Sequence, residues 1–234
     1  TGGIFKSTLT LFYAGPGGGK SRTMISTTYN VAEAGYYAMY FSLEMSKDFV
    51  MRCFDSRAGM LDAVQLRDGR LSPEDADRYE RMLRQKHKIL SRIWIVDMVG
   101  MDNTIERFLE EMEIFRVEVG RYPDVVFIDY AGLMEPTKER VAGRSEKYDE
   151  VFKDIVFLMR STGVGVVTAM QESRDFTKKG AKFGVHNIGM SHAPGAHSNN
   201  VVHLIQSDED QLSNRLLMVA EKARDGAKFE QDRV

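Results

Sequence analysis

Short runs of apolar, often β-branched residues alternate along this chain with longer segments in which apolar residues recur every three or four positions. The short runs predict strands, and the longer segments predict helices. Regular alternation of this kind is typical of an α/β domain with a mostly parallel, twisted sheet and helices on both faces. Strands are predicted at residues 9–13, 37–41, 93–96, 125–129, 164–169, 201–205 and 216–220, and helices at 21–34, 46–58 and 145–161, with further helices starting near residues 72 and 103.

Two of the predicted helices carry capping signals at their first residues. Ser72 precedes Pro73 and lies three residues before Asp75, so its side chain can accept a hydrogen bond from the first turn. Asn103 is predicted to cap the next helix, which ends at Gly120. These helix boundaries are therefore predicted from local chemistry alone.

The composition excludes several kinds of fold, cross-link and partner. Hydrophobic residues make up 43% and charged residues 28% with no internal break, so we expect one ordinary folded domain over residues 1–234. The formal net charge of −2 gives no sign of a nucleic-acid partner. A nucleic-acid-binding site, if the chain has one, must therefore be a local basic patch. Cys53 is the only cysteine, which excludes an internal disulfide and a zinc–cysteine cluster. No apolar run reaches the roughly 18–20 residues that span a bilayer, so we expect no membrane partner. The single cysteine fits a reducing, intracellular setting, and we expect a cytoplasmic protein, with the host cytoplasm of a virus or an organelle as alternatives.

A glycine-rich segment joins the first predicted strand to the first predicted helix. Its pattern, Ala/Gly-x-x-x-x-Gly-Lys-Ser, is that of a P-loop, in which glycines let backbone N–H groups meet phosphate oxygens beside the positive end of a helix. The lysine is expected to reach the β- and γ-phosphates of ATP, and the serine to bind Mg²⁺. The competing interpretation is a glycine-rich turn with a chance lysine. The segment comprises Ala14, Gly15, Pro16, Gly17, Gly18, Gly19, Lys20 and Ser21.

A P-loop site also needs an acid for the metal ion and a group that handles the attacking water. Asp129 ends an almost wholly apolar predicted strand, where ligands collect, and is the first candidate for the Mg²⁺ shell. Asp97 ends a shorter strand and ranks second, with a structural capping role as its alternative. Glu44 follows the second predicted strand and is either the catalytic base or a solvated loop acid. Gln171 follows the strand at 164–169 and is either a sensor of the γ-phosphate or an ordinary polar strand end.

Five segments of the chain match a known pattern when they are taken together. They are the P-loop at 14–21, Phe-Ser-Leu-Glu-Met at 41–45, Ile-Asp-Tyr-Ala-Gly-Leu-Met at 128–134, Met-Gln-Glu-Ser-Arg at 170–174 and Glu-Lys-Ala-Arg-Asp-Gly at 221–226. In order and spacing they resemble the ATPase domain of hexameric replicative helicases of the DnaB type. The resemblance covers nearly the whole chain, and the Ser-Leu-Glu-Met and Ile-Asp-Tyr-x-x-Leu-Met strings are its most specific parts.

The resemblance implies a RecA-like fold and a ring of six subunits that hydrolyses ATP and moves along single-stranded DNA during replication. It also implies that Glu44 is the catalytic base, Asp129 the acid of the Mg²⁺ shell and Gln171 the γ-phosphate sensor. Lys222 and Arg224 would then enter the neighbouring subunit's site as cationic fingers that stabilise the transferred phosphoryl group. Without the resemblance, these two cations are only alternate residues leaving a strand. A primase or a helicase loader is the further partner expected of such a motor.

The sequence departs from the helicase pattern in three ways. Its phosphate loop is richer in glycine than that of many relatives, and residues 186–198 lack the acidic pattern expected there. The family's helical N-terminal domain is absent from this sequence, so we expect the chain to be part of a longer helicase. Three histidines in the segment 186–198 make a metal site conceivable, although no carboxylate or cysteine lies beside them. They are His186, His192 and His197.

Two long predicted loops, at 135–147 and 174–186, hold clusters of cations. Lysine and arginine side chains there would bind backbone phosphates without reading bases, and by the resemblance they would face the central channel of a ring. From charge alone, two solvated loops are the simpler interpretation. The first loop contributes Lys138, Arg140, Arg144 and Lys147, and the second Arg174, Lys178, Lys179 and Lys182, with Phe176 or Phe183 as candidates for base stacking.

Two other functions stay open beside a DNA helicase motor. A RecA/RadA-type recombinase would share the fold and the loops but form a filament that pairs strands, and the Ser-Leu-Glu-Met string favours the helicase over it. A nucleotide-switched loader or scaffold would assemble on a partner. The presence of Lys20, Glu44 and Asp129 argues against an inactive ATPase, so an ATP-dependent helicase motor is the leading hypothesis.

Overall fold

A single sheet forms the centre of the domain. The computed structural model describes residues 4–138, 140–171, 193–213, 215–224 and 230–231. Within these ranges the strands are β1 (Leu9–Ala14), β2 (Ala38–Ser42), β3 (Ile93–Asp97), β4 (Val125–Asp129), β5 (Gly165–Gln171), β6 (Asn200–Ile205), β7 (Leu217–Ala223) and β8 (Glu230–Gln231). Their order across the sheet is β3-β2-β4-β5-β1-β6-β7-β8. Neighbours from β3 to β6 pair in parallel, and β7 and β8 add antiparallel edges, so the predicted mostly parallel sheet is confirmed.

Helices follow most of the parallel strands. In the described part of the chain they are α1 (Lys20–Glu33), α2 (Lys47–Gly59), α3 (Ala63–Asp68), α4 (Pro73–Leu90), α5 (Ile105–Val119), α6 (Arg144–Thr162), α7 (Ala193–His197) and α8 (Asp208–Leu212). A short 3-10 turn, Ala131–Leu133, follows β4. None of the helices in these ranges combines the length and the apolar character that a membrane crossing requires.

Two apolar cores lie on opposite faces of the sheet. Helices α5 and α6 pack on one face, and α1, α2 and α4 pack on the other. Along β1, Leu11 and Tyr13 belong to the α5–α6 core, whereas Phe12 and Ala14 belong to the α1 core. Because both faces of the strand are covered, its sequence is continuously apolar instead of alternating.

Capping chemistry explains where the helices start and end, with one correction. The Ser72 hydroxyl accepts a hydrogen bond from the Asp75 N–H at 3.1 Å, as predicted. The predicted cap of α5 at Asn103 is wrong, because Thr104 occupies the N-cap position of this helix. The Asn103 amide instead donates to the Leu133 carbonyl at 3.3 Å, which ties the start of α5 to the chain after β4. Gly120, at φ 83°, ends the helix as predicted.

The short elements α3, α7, α8 and β8 were not predicted, since each has too few residues to show a period. In α3 the Asp62 carboxylate accepts from the Val64 and Gln65 N–H groups, so capping rather than burial organises it. The last long strand also continues further than its apolar run at 216–220, and β7 includes the polar residues Glu221 and Lys222. The extension brings Lys222 into register with Val201 of β6.

Candidate active site

The segment between β1 and α1 forms a tight glycine turn. The Gly18 N–H donates to the Gly15 carbonyl at 3.1 Å, and Gly17 and Gly19 adopt φ values of 71° and 79°, a region that disfavours side chains. A Cβ atom added to Gly18 would lie 2.8 Å from the Cβ of Ala14. The loop therefore requires glycine for its own closure as well as for the approach of a phosphate group.

Lys20 is the first residue of α1, and its side chain lies over the loop. Its ammonium donates to the carbonyls of Ala14 and Gly15, at 3.3 and 3.1 Å. A cation is thus held next to the N-terminal end of a helix, where the unpaired N–H groups also carry partial positive charge. This corner of the domain is arranged to bind an anion.

Asp129, the last residue of β4, lies beside the loop. It is only 2% exposed. Its Oδ1 atom accepts a hydrogen bond from the Ser21 hydroxyl at 3.4 Å, and its Oδ2 atom accepts one from the Tyr40 hydroxyl at 2.5 Å. The structure therefore brings together the serine and the acid that the sequence predicted for a metal shell.

Burial dominates the electrostatics of this carboxyl group. Desolvation raises the pKa of Asp129 above its ordinary value, and the negative charge of Glu44 adds to the rise. The hydrogen bonds from Tyr40 and Ser21 and the charge of Lys20 lower that pKa in part. A carboxylate at this position carries an unfavourable charge that a bound cation would relieve.

Glu44 lies at the same corner because of the pairing between β2 and β4. Ser42 is in register with Asp129, and the Leu43 N–H donates to the Asp129 carbonyl at 2.9 Å. Glu44 follows directly and is exposed, and its charge contributes to the raised pKa of both Asp129 and Tyr130. Its carboxylate is therefore within electrostatic reach of the buried acid and accessible to water.

Gln171 ends β5, the strand that lies between β4 with Asp129 and β1 with the loop. It is half-buried and is paired with Ala14, the residue at which the glycine loop begins, through the parallel register of β1 and β5. The residue is therefore at the carboxyl edge of the sheet, as expected for one that ends its strand, and its role as a γ-phosphate sensor stays a prediction.

Asp97 has a different environment from Asp129. Its carboxylate accepts hydrogen bonds from the N–H groups of Lys47 at 2.8 Å and Val99 at 3.0 Å. It thereby caps the start of α2 and the turn after β3. The structure favours the structural role that the sequence left open for this residue.

Two residues of this corner were missed from the sequence. Tyr40 is a fully buried tyrosine in a strand covered on both faces, and a buried phenol normally has a hydrogen-bond partner, so its presence was a usable signal. The Thr168 hydroxyl donates to the Ile128 carbonyl at 2.9 Å and accepts from the Ala131 N–H at 3.2 Å. It fixes the chain on both sides of Asp129, and nothing in its local sequence indicated this role.

Comparison with known protein families identifies the family to which the chain belongs. The family model described as "DnaB-like helicase C terminal domain" matches residues 1–226. The chain belongs to this family. Membership implies nucleotide binding, confirms the resemblance drawn from the five segments, and favours a helicase over a recombinase or a loader.

Two curated relatives are named as a replicative DNA helicase and a probable replicative DNA helicase. The chain is 24% identical over 225 residues to the replicative DNA helicase DnaB of Treponema pallidum (strain Nichols), a match that covers 95% of this chain and 49% of the relative. It is 23% identical over 177 residues to a probable replicative DNA helicase of Trieres chinensis, covering 75% of this chain and 38% of that protein. The chain therefore spans about half the length of these relatives, or less.

Solved structures of the family share the fold. A solved ATPase domain of a DnaB-like helicase superposes with a TM-score of 0.84 at 20% identity, covering 97% of this chain and 81% of that one. A DnaB-like replicative helicase, solved in a study of its interactions with primase, superposes with a TM-score of 0.85 at 20% identity, covering 97% of this chain and 55% of that one. The expected RecA-like P-loop fold is confirmed.

In this helicase-family domain, the two predicted finger cations lie away from the P-loop of their own chain. Strand β6 pairs in parallel with β1 and antiparallel with β7, so Asn200 lies beside both Thr10 and Ala223. Across β6, Arg224 is level with Leu9, the first residue of β1, and Lys222 is level with Leu11, whereas the P-loop follows the carboxyl end of β1 at Ala14. Along the strand direction, about 16 Å separate the level of Arg224 from Ala14 and about 10 Å separate the level of Lys222 from it.

Both cations bind carbonyl oxygens of α7. The Lys222 ammonium donates to the carbonyls of Gly195 at 2.7 Å and Ala196 at 3.1 Å, and the Arg224 guanidinium donates to Ala196 at 3.3 Å. Partial burial lowers the pKa of Lys222, and the charge of Arg224 lowers it further. The side chains are thus held together next to the negative end of a short helix.

The cations predicted to contact DNA form two groups, and the structure describes the first of them, in the segment 135–147. Lys138 forms an ion pair with Glu146 at 2.6 Å, and Lys147 forms one with Glu135 at 2.6 Å. Arg140 and Arg144 are exposed, and Arg144 is the first residue of α6. The second group of predicted DNA contacts lies outside the described residues, and it comprises Arg174, Lys178, Lys179 and Lys182 with the aromatic candidates Phe176 and Phe183.

The conceivable histidine metal site has support from one residue at most. The imidazole of His197 lies 2.9 Å from Asp149 of α6, which also pairs with Lys153 at 2.7 Å. His186 and His192 lie outside the described residues. Across the part of the chain that the structure describes, no group of three candidate ligands surrounds a common point.

Proposed function

We propose that this domain hydrolyses ATP with Mg²⁺ at the P-loop corner and acts as the motor of a replicative DNA helicase. The observation that carries the proposal is the buried Asp129 carboxylate 3.4 Å from the Ser21 hydroxyl, next to a lysine held over a glycine loop. Family membership supports the same activity. We further propose that residues 1–234 form one RecA-like domain of a longer cytoplasmic protein.

The residues at this corner fit a magnesium nucleotide. Hydroxyl and carboxylate oxygens are the donors that Mg²⁺ prefers, and the ion would neutralise charge on the bound phosphates. Ser21 and Asp129 would hold it. Lys20 would exchange its carbonyl partners for the β- and γ-phosphates, and the loop N–H groups from Ala14 to Ser21 would surround the phosphate chain.

Glu44 and Gln171 would act on the γ-phosphate side of the site. The exposed carboxylate of Glu44 would take the proton of the attacking water, because it is accessible to solvent and lies just after β2, the strand that pairs with β4 and brings Ser42 level with Asp129. The Gln171 amide, beside the start of the loop, would hydrogen-bond to the γ-phosphate and report its presence to the chain that follows. Each role depends on the carboxyl ends of neighbouring strands meeting at one edge.

Lys222 and Arg224 would serve the nucleotide of a neighbouring subunit. Their position supports this, since β7 lies two strands away from β1 and both side chains are held on carbonyl oxygens of α7 instead of facing the P-loop of their own chain. A closed homo-oligomeric ring, which we propose to be hexameric, would supply every site with such cations. Hydrolysis would then depend on assembly, as in other enzymes with an arginine finger in trans.

Single-stranded DNA is the proposed track. Arg140 and Arg144 are exposed cations of the first segment, and Lys138, which is also exposed, would become available if its pair with Glu146 opens. The cations of the second loop, Arg174, Lys178, Lys179 and Lys182, are proposed to contribute from the segment after Gln171. Such contacts bind the phosphate backbone and weaken with salt. Primase or a helicase loader is the proposed protein partner, and one solved relative was studied for its interactions with primase.

The test is the ATPase rate of the assembled protein with and without single-stranded DNA. We expect DNA to stimulate the wild type and Lys20→Ala to abolish turnover, a loss of at least about 100-fold, because the main phosphate cation is removed. Lys6→Ala, which removes an exposed lysine before β1, is the matched control and retains the rate. A slow turnover that ignores DNA would instead indicate a nucleotide-switched loader or scaffold.

A further inference from the structure

Tyr40 provides a second hydroxyl donor to the proposed Mg²⁺-shell acid. It is fully buried in β2, the strand next to β4. Its ring packs edge-on against Phe54 of α2, with centroids 5.7 Å apart, and lies nearly parallel to Phe127 of β4 at 6.4 Å. Its hydroxyl donates to Oδ2 of Asp129 at 2.5 Å. The phenol is therefore fixed by its ring and points at a single acceptor.

The two oxygens of Asp129 have different partners as a result. Oδ2 accepts from Tyr40 in the interior, and Oδ1 accepts from Ser21 at the start of α1. A carboxylate bound at one oxygen by a rigid donor cannot rotate freely about its last bond. Oδ1 is thus kept on the side of the P-loop.

We propose that Tyr40 is a positioning residue for the Mg²⁺ of the ATPase site, acting through Asp129 to present one carboxylate oxygen to the metal shell. The inference rests on the proposed function. Magnesium demands a nearly ideal octahedral arrangement of oxygens, so the orientation of a shell carboxylate matters more for this ion than for larger ones. Groups that orient a metal ligand from behind typically change metal affinity or activity by about 10- to 100-fold when they are removed.

A purely structural role for Tyr40 makes different predictions. If the tyrosine only fills the core between α2 and β4, loss of its hydroxyl lowers the thermal stability of the fold without changing how the protein responds to magnesium. If it positions Asp129, the loss appears in magnesium-dependent steps and spares the phosphate contacts of Lys20 and the loop.

Tyr40→Phe separates these two roles, since it keeps the ring and removes only the hydroxyl. In the full-length protein, two quantities are measured: the Mg²⁺ concentration that gives half-maximal ATPase rate, and the affinity for fluorescent ADP in EDTA and in Mg²⁺. We expect the half-maximal Mg²⁺ concentration to rise about tenfold or more. The ADP affinity in EDTA changes less than about twofold, whereas the gain in affinity that Mg²⁺ confers is reduced.

Tyr29→Phe is the matched control. Tyr29 is a buried tyrosine of α1, and within the described residues its hydroxyl has no hydrogen-bond partner. Its ring contacts the Arg57 guanidinium at 5.0 Å and the Lys86 ammonium at 5.5 Å, and phenylalanine preserves both contacts. The Mg²⁺ response of this variant is expected to match that of the wild type.

Two outcomes would overturn the inference. In the first, Tyr40→Phe needs no more Mg²⁺ than the wild type. In the second, it loses ADP affinity equally in EDTA and in Mg²⁺ together with thermal stability, which assigns Tyr40 to the core alone. Failure of the proposed function is recognised separately, because Lys20→Ala would then hydrolyse ATP as fast as the wild type whatever Tyr40→Phe does.

Discussion

At the carboxyl ends of the parallel strands, Asp129 is buried and bound by two hydroxyls, whereas Lys222 in β7 and Arg224 just after β7 bind the carbonyls of α7. The first group is organised within one chain, where Ser21 and Tyr40 donate to the carboxylate of Asp129. The second group consists of two cations that occupy neutral acceptors.

The difference supports the proposal that a single subunit supplies the P-loop side of the site and a neighbouring subunit supplies the cations. A charged donor binds a phosphate oxygen more strongly than a carbonyl oxygen, because attraction between opposite full charges adds to the hydrogen bond, whereas a carbonyl oxygen carries only a partial charge. We propose that Lys222 and Arg224 leave α7 when a neighbouring subunit presents a nucleotide. We propose that the P-loop corner is preorganised for binding and that the finger end is completed only by assembly.

The largest effect is expected from Arg224→Ala. In assembled protein we expect ATP turnover to fall by about 1,000-fold or more, since finger arginines typically contribute that much to phosphoryl transfer. Nucleotide affinity of the dissociated subunit stays unchanged, because Arg224 lies at the far end of the strands. Turnover and fluorescent-nucleotide titrations measure the two quantities.

Mixing tests whether the finger acts between subunits. Rings of Arg224→Ala and Lys20→Ala chains contain some interfaces with an intact P-loop on one side and an intact finger on the other, so we expect partial recovery of turnover. If turnover does not recover at any ratio, in preparations shown to contain mixed rings, Arg224 does not act on the site of a neighbouring subunit.

Glu44→Gln is expected to lower turnover by about 100-fold or more while nucleotide binding is retained, because the amide cannot accept the proton of the attacking water. Single-turnover hydrolysis and nucleotide titration measure the two effects. Glu33→Gln, an exposed change at the far end of α1, is the control and should leave both unaffected. Normal hydrolysis by Glu44→Gln would show that the base lies elsewhere in the corner.

The smallest effect concerns stability without nucleotide or metal. Burial raises the pKa of Asp129 in the folded protein, so the fold is most stable, as far as this group is concerned, below the ordinary aspartate pKa. That stability is lost as pH rises through the raised folded pKa. Asp129→Asn should therefore increase the melting temperature at pH 7 by roughly 2–4 °C, or about 1 kcal/mol, although it removes ATPase activity.

Thermal melts at several pH values check this prediction. The advantage of Asp129→Asn should shrink as the pH is lowered, because the wild-type carboxyl becomes protonated. Asp77→Asn, at an exposed site on α4, should show no such trend. If Asp129→Asn melts below the wild type at pH 7, the ionised carboxylate stabilises the fold, and burying its charge does not lower the free energy of unfolding.

Much of the nucleotide corner was predictable from the sequence because its determinants are local. Gly17 and Gly19 adopt positive φ angles, and Gly18 has no room for a Cβ atom. Consecutive residues therefore determine the shape of the loop. Asp129 was identified from its place at the end of an apolar run, since carboxyl ends of parallel strands meet at one edge. The one-residue error at the start of α5 has the opposite origin, since Asn103 is engaged by Leu133 from a distant part of the chain.

The sequence by itself determined the alternation of strands and helices, the phosphate loop and the acids that follow the strands, because each depends on neighbouring residues. The tertiary structure decided which side chains meet across strands. The pairing of β2 with β4 places Tyr40 at Asp129, and a register shift between β6 and β7 pairs Lys222 with Val201. Strand register is set by the packing of the whole sheet, so no local pattern specifies these contacts.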